Sequence, residues 1–349
     1  MKQHFARLPN RTWVVLITVS IAAMLAASSA MAHVRWFVDG SATVDAFEPF
    51  RVTDIEVLAW VTISLLLISS SVALDMRLPT IRIVDSKTRH DFIEILRVFT
   101  GMSMLLTAYE GAITAPHLVA FGSFGNILLF LQAAIGILLI ANRFVRHAAI
   151  LMILLHQGLA IKFGILAAFE YLIMVAIAIF LLINNLPTAE LRERYKPYSV
   201  DILRILTGIS LITLGAAEKL FGAIMAESFL AEYRWNFMQA IGFEFFTDRL
   251  FALSAGFIEV VFGVILVLGT TTRLNILAFS IVLFASNVLF LIQGENEAAM
   301  VEFIGHMPVI GVALILLLLG SGQRLKVTNF LPHQRVNTAI KTVSVPTDV

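Results

Sequence analysis

"EILRVFTGMSMLL", residues 94–106, returns further along the chain as "DILRILTGISLIT", residues 201–213. An acid opens both phrases, and Ile, Leu, Arg, Thr, Gly and Ser then match in register. The next apolar stretch repeats as well. "LQAAIGILLIANRFVR" and "IEVVFGVILVLGTTTR" align Gln132 with Glu259, Gly136 with Gly263 and Arg146 with Arg273. Each copy then closes on a helix that starts with a carboxylate, Glu170 or Glu302. Composition alone makes apolar helices look alike, but shared glycines and charges are harder to obtain by chance. Each unit has four spans. An even number gives both copies one orientation, related by an axis along the membrane normal.

The rest of the chain sets the solvent. Of 349 residues, 59% are hydrophobic and 14% charged, with a mean hydropathy of +0.89. So few charges cannot clothe a water-soluble domain, so the expected fold is an all-α, polytopic transmembrane helical bundle. The balance of 25 Lys and Arg against 24 Asp and Glu provides no concentrated basic face, which argues against nucleic acid as a partner. With no cysteine, the chain itself has no thiol, disulfide or thiolate-metal chemistry. Redox work would require a bound cofactor or a partner protein.

A bilayer crossing needs about 20 apolar residues, fewer when the helix is buried among others. Ten stretches qualify: 12–32, 55–75, 92–115, 126–142, 147–166, 168–186, 201–223, 250–268, 275–293 and 301–320. Alternate links carry Arg77, Arg82, Lys87 and Arg89, then Arg143 and Arg146, then Arg192, Arg194 and Lys196, then Arg273, then Arg324, Lys326 and Arg335. The links between them, such as "PHLVAFGSFGN" (116–126) and "QGENEAAM" (293–300), are acidic or uncharged. By the positive-inside rule, the basic links and the C-terminus are cytoplasmic, and the expected location is a bacterial-type inner membrane. The chain thus divides into 1–32, a signal peptide or first span; 33–90, an outer segment plus one span; four-helix units at 91–198 and 199–325; and a cytoplasmic tail at 326–349. In the longest outer link, Phe229, Leu230, Tyr233, Phe237 and Ile241 fall at helical spacing. That link reads either as a helix lying flat at the interface or as a segment packed over the bundle.

The phrases "ILRILTGISLITLGAAEKLFG" and "GFIEVVFGVILVLGTTTRL" make this chain similar to the DoxX-like family of small four-helix membrane proteins. The features that carry the resemblance are an Arg at the cytoplasmic start, small residues, a Lys near the outer end, and Glu259, Gly263, Gly269 and Arg273. It covers about residues 92–325, and the second copy matches better. In the first copy Gln132 replaces Glu259 and nothing matches Lys219, so that copy reads as structural. The resemblance implies a membrane bundle linked to quinone or sulfur redox systems.

An ionisable side chain inside a bilayer costs about 2.5–3.5 kcal/mol on insertion scales, so each is a functional candidate. The orientation places Glu110, His156, Lys162, Glu170, Glu218, Lys219, Glu302 and His306 in outer halves and Glu259 nearer the middle, while inner halves are apolar. This asymmetry predicts an outward-facing polar pocket. Glu302 and His306 are one turn apart and can pair for proton relay, metal ligation or hydrogen bonding to a quinone head group, or can simply tie helices together. Lys219 and Glu259 read as a contact between adjacent spans, and Arg97 and Arg204 as interface anchors. His156 and His306 could in principle hold a haem between two spans, though no spacing rule supports such a site.

The N-terminus has the three parts of a signal peptide: basic Lys2 to Arg11, apolar Trp13 to Ala27, and a small-residue end at Ala30 and Ala32. Cleavage there would expose His33, whose amine and imidazole chelate copper, with His117 as the accessible second imidazole. A histidine that merely follows a cleavage site is the plainer reading. Two functions from different classes follow. The first is the membrane subunit of a redox or electron-transfer system, with the pocket taking a quinone or similar small molecule and a partner protein supplying the redox centre. The second is a periplasm-facing copper-handling or small-solute transport protein; a non-catalytic scaffold stands behind both.

Overall fold

A computed structural model describes residues 34–38, 47–78, 86–322 and 324–331. Residues 1–33, which carry the expected signal peptide or first span and His33, lie outside the described residues, as does the tail from 332. The described residues are helical and contain no strand; Ala112 and Val119 form a single isolated bridge. The helices are α1 (Ile55–Asp75), α2 (Ser86–Tyr109), α3 (Gly122–Ile140), α4 (Val145–Phe163), α5 (Ile165–Glu170), α6 (Leu172–Asn184), α7 (Ala189–Leu214), α8 (Ala223–Tyr233), α9 (Phe237–Ala240), α10 (Asp248–Leu268), α11 (Thr272–Gln293) and α12 (Asn296–Leu319). Among the described residues, seven helices are long and apolar enough to cross a membrane: α1, α2, α3, α7 with its extension to Leu220, α10, α11 and α12. The chain is a multi-pass membrane protein.

Eight helical segments close into a ring. The first copy runs α2, α3, α4 and α5–α6; the second runs α7, α10, α11 and α12. Within each copy, the first helix packs on the second and the third on the fourth. Between copies, α6 packs on α7 and α12 packs on α2, so the last helix of each unit lies against the first helix of the other. α1 stands outside the ring on α10, with Trp60 stacked on Phe257 at 6.2 Å. Only 11% of its apolar window is buried by protein, as suits a helix facing lipid.

The repeated glycines explain the first contact in each copy. A methyl added at Gly208 would lie 2.6 Å from the Gly263 carbonyl oxygen, and one at Gly136 would lie 2.8 Å from that of Gly101. Both crossings bring backbone onto backbone, the approach that small residues allow between membrane helices. The turns that follow also share their conformation. Asn142 and Gly269 both have positive φ, 52° and 76°, and so do Phe144 and Thr271, at 52° and 41°. These pairs occupy matching positions of the repeat.

The arginines of the repeat are buried in the protein. Arg97 donates to the Ile140 carbonyl at 3.2 Å, and Arg204 donates to the equivalent Val267 carbonyl at 2.8 Å. Arg204, completely buried, also donates to the carbonyls of Leu266, Ser321 and Leu325. Carbonyls at a helix C-terminus have no partner within the helix, and a guanidinium with five donors satisfies several of them together. Asp201 completes this end by accepting from the backbone N–H of Arg324 and Leu325 at 3.0 and 3.1 Å.

Three sequence boundaries change. The stretch expected at 168–186 begins at Ile165, after Gly164 with φ 93°, and is broken at Tyr171. The stretch expected at 201–223 belongs to a helix that starts at Ala189 and ends in a wide π-type turn, Gly215–Leu220, where Phe221 N–H reaches the Ala216 carbonyl at 2.8 Å. The link after it is not one flat helix. α8 stops at Arg234 in the left-handed region, and Phe229 and Leu230 are 1% and 2% exposed, packed on the bundle.

Candidate functional site

Four local distortions turn polar groups toward the interior at one end of the bundle. The π-type turn at Gly215–Leu220 shifts the helical register, and both of its charged residues, Glu218 and Lys219, are buried. The break at Tyr171 separates α5 from α6 just after buried Glu170. Pro308, inside α12, removes a backbone N–H and loosens the helix one turn after Gly305. Finally, the 3₁₀ turn Val34–Trp36 enters the bundle, with Val34 2% exposed.

These distortions assemble a cluster of Glu170, Glu218, Glu259 and Glu302 with Lys219, Arg35, His306, Tyr171 and Trp36. Lys219 Nζ lies 2.8 Å from Glu259 Oε1. Arg35 Nη1 donates to both oxygens of Glu170, at 2.9 and 3.2 Å. The Val34 N–H donates to Glu218 Oε2 at 3.1 Å, and Trp36 Nε1 donates to Tyr171 Oη at 3.2 Å. The Trp36 ring lies 5.1 Å from that of His306. Its close fit uses Gly305, because a methyl there would overlap the indole.

Glu302 and His306 meet differently from the pairing expected. His306 Nδ1 donates to the Glu302 backbone carbonyl at 2.8 Å, and the carboxylate oxygen Oε1 lies 3.5 Å away. Folding back onto the carbonyl one turn earlier satisfies the ring within its own helix. The carboxylate accepts from Ser286 Oγ of α11 at 3.1 Å instead, and its Oε2 has no hydrogen-bond partner among the described residues. Because a carbonyl can only accept, Nδ1 is the donor in this contact.

Below the cluster lies a cavity of about 70 Å³. One water needs about 10–15 Å³ on this measure, so the space exceeds that of a single structural water. Trp36, Glu170, Tyr171, Glu259 and His306 line its polar end. Leu211, Phe262, Leu266, Phe279, Val309 and Val312 form its apolar wall.

Other expected site residues lie elsewhere. Glu110 is exposed and takes no part in the cluster. His156, 6% exposed, is buried on α4 and does not line the cavity. Lys162 turns outward onto the Phe121 carbonyl at 2.7 Å. The ring of His117 sits 6.0 Å from that of Tyr171, beside the cluster. Among the described residues, no group of three or more His, Asp or Glu is arranged to hold a metal ion. Gln132, the counterpart of Glu259, is saturated. It donates to Met104 O, Thr107 Oγ1 and Ala112 O and accepts from the Thr114 N–H.

Sequence reasoning missed Arg35, Trp36, Tyr171, Ser286, Thr207 and Asn275. Arg35 and Trp36 follow the expected cleavage point and read as an outer segment, and the others are ordinary in apolar helices. In comparisons with known proteins, the chain matches no family model, no curated protein and no solved structure.

Proposed function

We propose that the chain binds a small amphipathic molecule, a quinone or a similar ring, in this cavity, and serves as the membrane subunit of a redox or electron-transfer system. One observation carries the reading: the cavity is polar at one end and apolar along its length, inside a ring of helices. Away from the acidic end the wall is mostly apolar, with Leu266, Val309 and Val312, and carries Thr207 and Asn275 among them. Such amphipathic cavities, with a few convergent polar groups, are the usual form of small-molecule sites.

Among the described residues the cluster sets four carboxylates against two fixed cations, Arg35 and Lys219, so it is suited to hold and exchange protons near the bound ring. A ligand whose oxidation and reduction take up and release protons uses such a site, while the electrons pass to or from a partner protein. The DoxX-like resemblance agrees with this role. The arginine-bearing end faces the cytoplasm of a bacterial-type inner membrane, and the cluster faces out.

The test is binding to the full chain in lipid nanodiscs. Trp36 lines the cavity, so a short-tailed quinone should quench its fluorescence saturably, and the quench should be absent in Trp36→Phe. Ala313, also in the lining and 6% exposed, provides the control, because Ala313→Phe fills the space. Quenching that survives Ala313→Phe, or its absence from the wild type, overturns the reading.

A further inference from the structure

Two polar atoms at the apolar end of the cavity are left without partners. Thr207 Oγ1 and Asn275 Oδ1 have no hydrogen bond among the described residues, and both residues line the cavity. They are 8% and 1% exposed. A buried polar group without a partner costs about 1–3 kcal/mol, so two in one apolar pocket point to a missing partner.

The first copy shows that neither loss is imposed by the repeat. Thr100, the counterpart of Thr207, donates to the Leu96 carbonyl at 2.8 Å, the ordinary back-bond of a threonine in a helix. Ala148 stands where the second copy has Asn275 and is completely buried. Asn275 is held in one orientation, because its Nδ2 donates to the Phe262 carbonyl at 3.0 Å. Its Oδ1, which has no partner among the described residues, is therefore fixed as an acceptor.

We infer that this end of the cavity recognises a hydrogen-bond donor on the ligand, and that a dihydric phenol binds there in preference to the corresponding dione or ether. Phe262 and Phe279 meet edge to face at 6.0 Å in the same wall, a setting for a flat ring. Along α10, Glu259 precedes Phe262 by three residues, about 4.5 Å of rise. A ring with hydroxyls on opposite edges thus places one at Asn275 and Thr207 and the other at the acidic end. A dione has acceptors only: it can take a hydrogen bond from the Thr207 hydroxyl, but it sets a lone pair against Asn275 Oδ1.

This inference rests on the proposed ligand cavity, and the test separates the two. Trimethylhydroquinone, its dimethyl ether and the matching quinone are titrated anaerobically into the full chain in nanodiscs, with affinity read by calorimetry. The hydroquinone should bind about tenfold tighter than the ether, the worth of one strong hydrogen bond. Asn275→Leu and Thr207→Val should each shrink that ratio toward one while the ether still binds; Thr207→Val keeps its shape, so it reports even if Asn275→Leu fails to fold. Equal binding of hydroquinone and ether by the wild type, or an unchanged ratio in both variants, overturns the inference. If both ligands bind equally and Ala313→Phe abolishes both, the cavity reading stands and only the donor preference falls. If no probe binds the wild type, both fall together.

Discussion

Lys219 and Glu259 form an ion pair at 2.8 Å with their side chains 2% and 4% exposed, joining the π-type turn after α7 to the middle of α10. Neither helix could bury its charge alone. Gln132 holds the equivalent place in the first copy with four hydrogen bonds and no charge, so the fold itself does not require an ion pair at this crossing. Glu259 of the pair lines the cavity, which Gln132 does not.

Removing one member should therefore harm the protein more than removing both. Lys219→Met leaves an uncompensated buried carboxylate and should cost about 3–5 kcal/mol. Adding Glu259→Gln should recover most of that loss, since it restores the uncharged state of the first copy. Denaturation in detergent checks this; a single variant as stable as the double one refutes it.

The glycine crossings should resist even a methyl group. A Cβ at Gly208 or Gly263 would meet the backbone carbonyl of the other at 2.6 Å, and backbone cannot step aside as a side chain does. Gly208→Ala and Gly263→Ala should each cost about 1–3 kcal/mol. Gly101→Ala, whose Cβ would meet the Gly136 oxygen at 3.0 Å, should be milder. The reverse order of melting temperatures contradicts the packing described.

Two acids outside the spans should respond to pH with opposite sign. A hydrogen bond from the Arg51 backbone N–H, with help from Arg249, holds the Asp54 carboxyl below its usual range. Its contribution is complete above the unfolded value, about 3.9, and disappears as pH falls through the lower folded value. Asp54→Asn should therefore cost stability at pH 7, with the difference shrinking below about pH 4. Burial pushes Glu227 up, so its ionised form burdens the fold. That burden eases as pH falls through the raised folded value, and is gone below the unfolded one, about 4.3. Glu227→Gln should be more stable than wild type at pH 8 and equal to it near pH 4. Unfolding of both variants across that range decides the matter.

The inserted turn should depend on its arginine. Arg35→Gln takes the cation from buried Glu170, and proteolysis within residues 34–54 should quicken severalfold in the folded protein. Glu170→Gln in the same chain should slow it again. Equal cleavage rates in all three proteins would show that the ion pair does not hold the segment.

Much of this architecture was readable from short stretches. Helix length and apolarity report on contact with lipid, and the matched Arg, Thr and Gly positions of residues 94–106 and 201–213 report on two helices used alike. Less was readable of the site. Glu302 and His306 share a face by spacing alone, yet their hydrogen bonds go to a backbone carbonyl and to Ser286. The break at Tyr171 and the wide turn at Gly215–Leu220 have no proline to announce them.

Span length, loop charge and duplication are properties of neighbouring residues in a bilayer, and the chain states them locally. The inequality of the two copies comes from packing. Thr207 and Thr100 share a position in the repeat, but Thr100 bonds back onto its own helix while Thr207 lines a cavity whose wall is built by α6, α10, α11 and α12. Arg35 meets Glu170 across 135 residues. Whether a buried polar group finds a partner or waits for a ligand depends on which distant helix closes over it, and no single stretch of sequence carries that information.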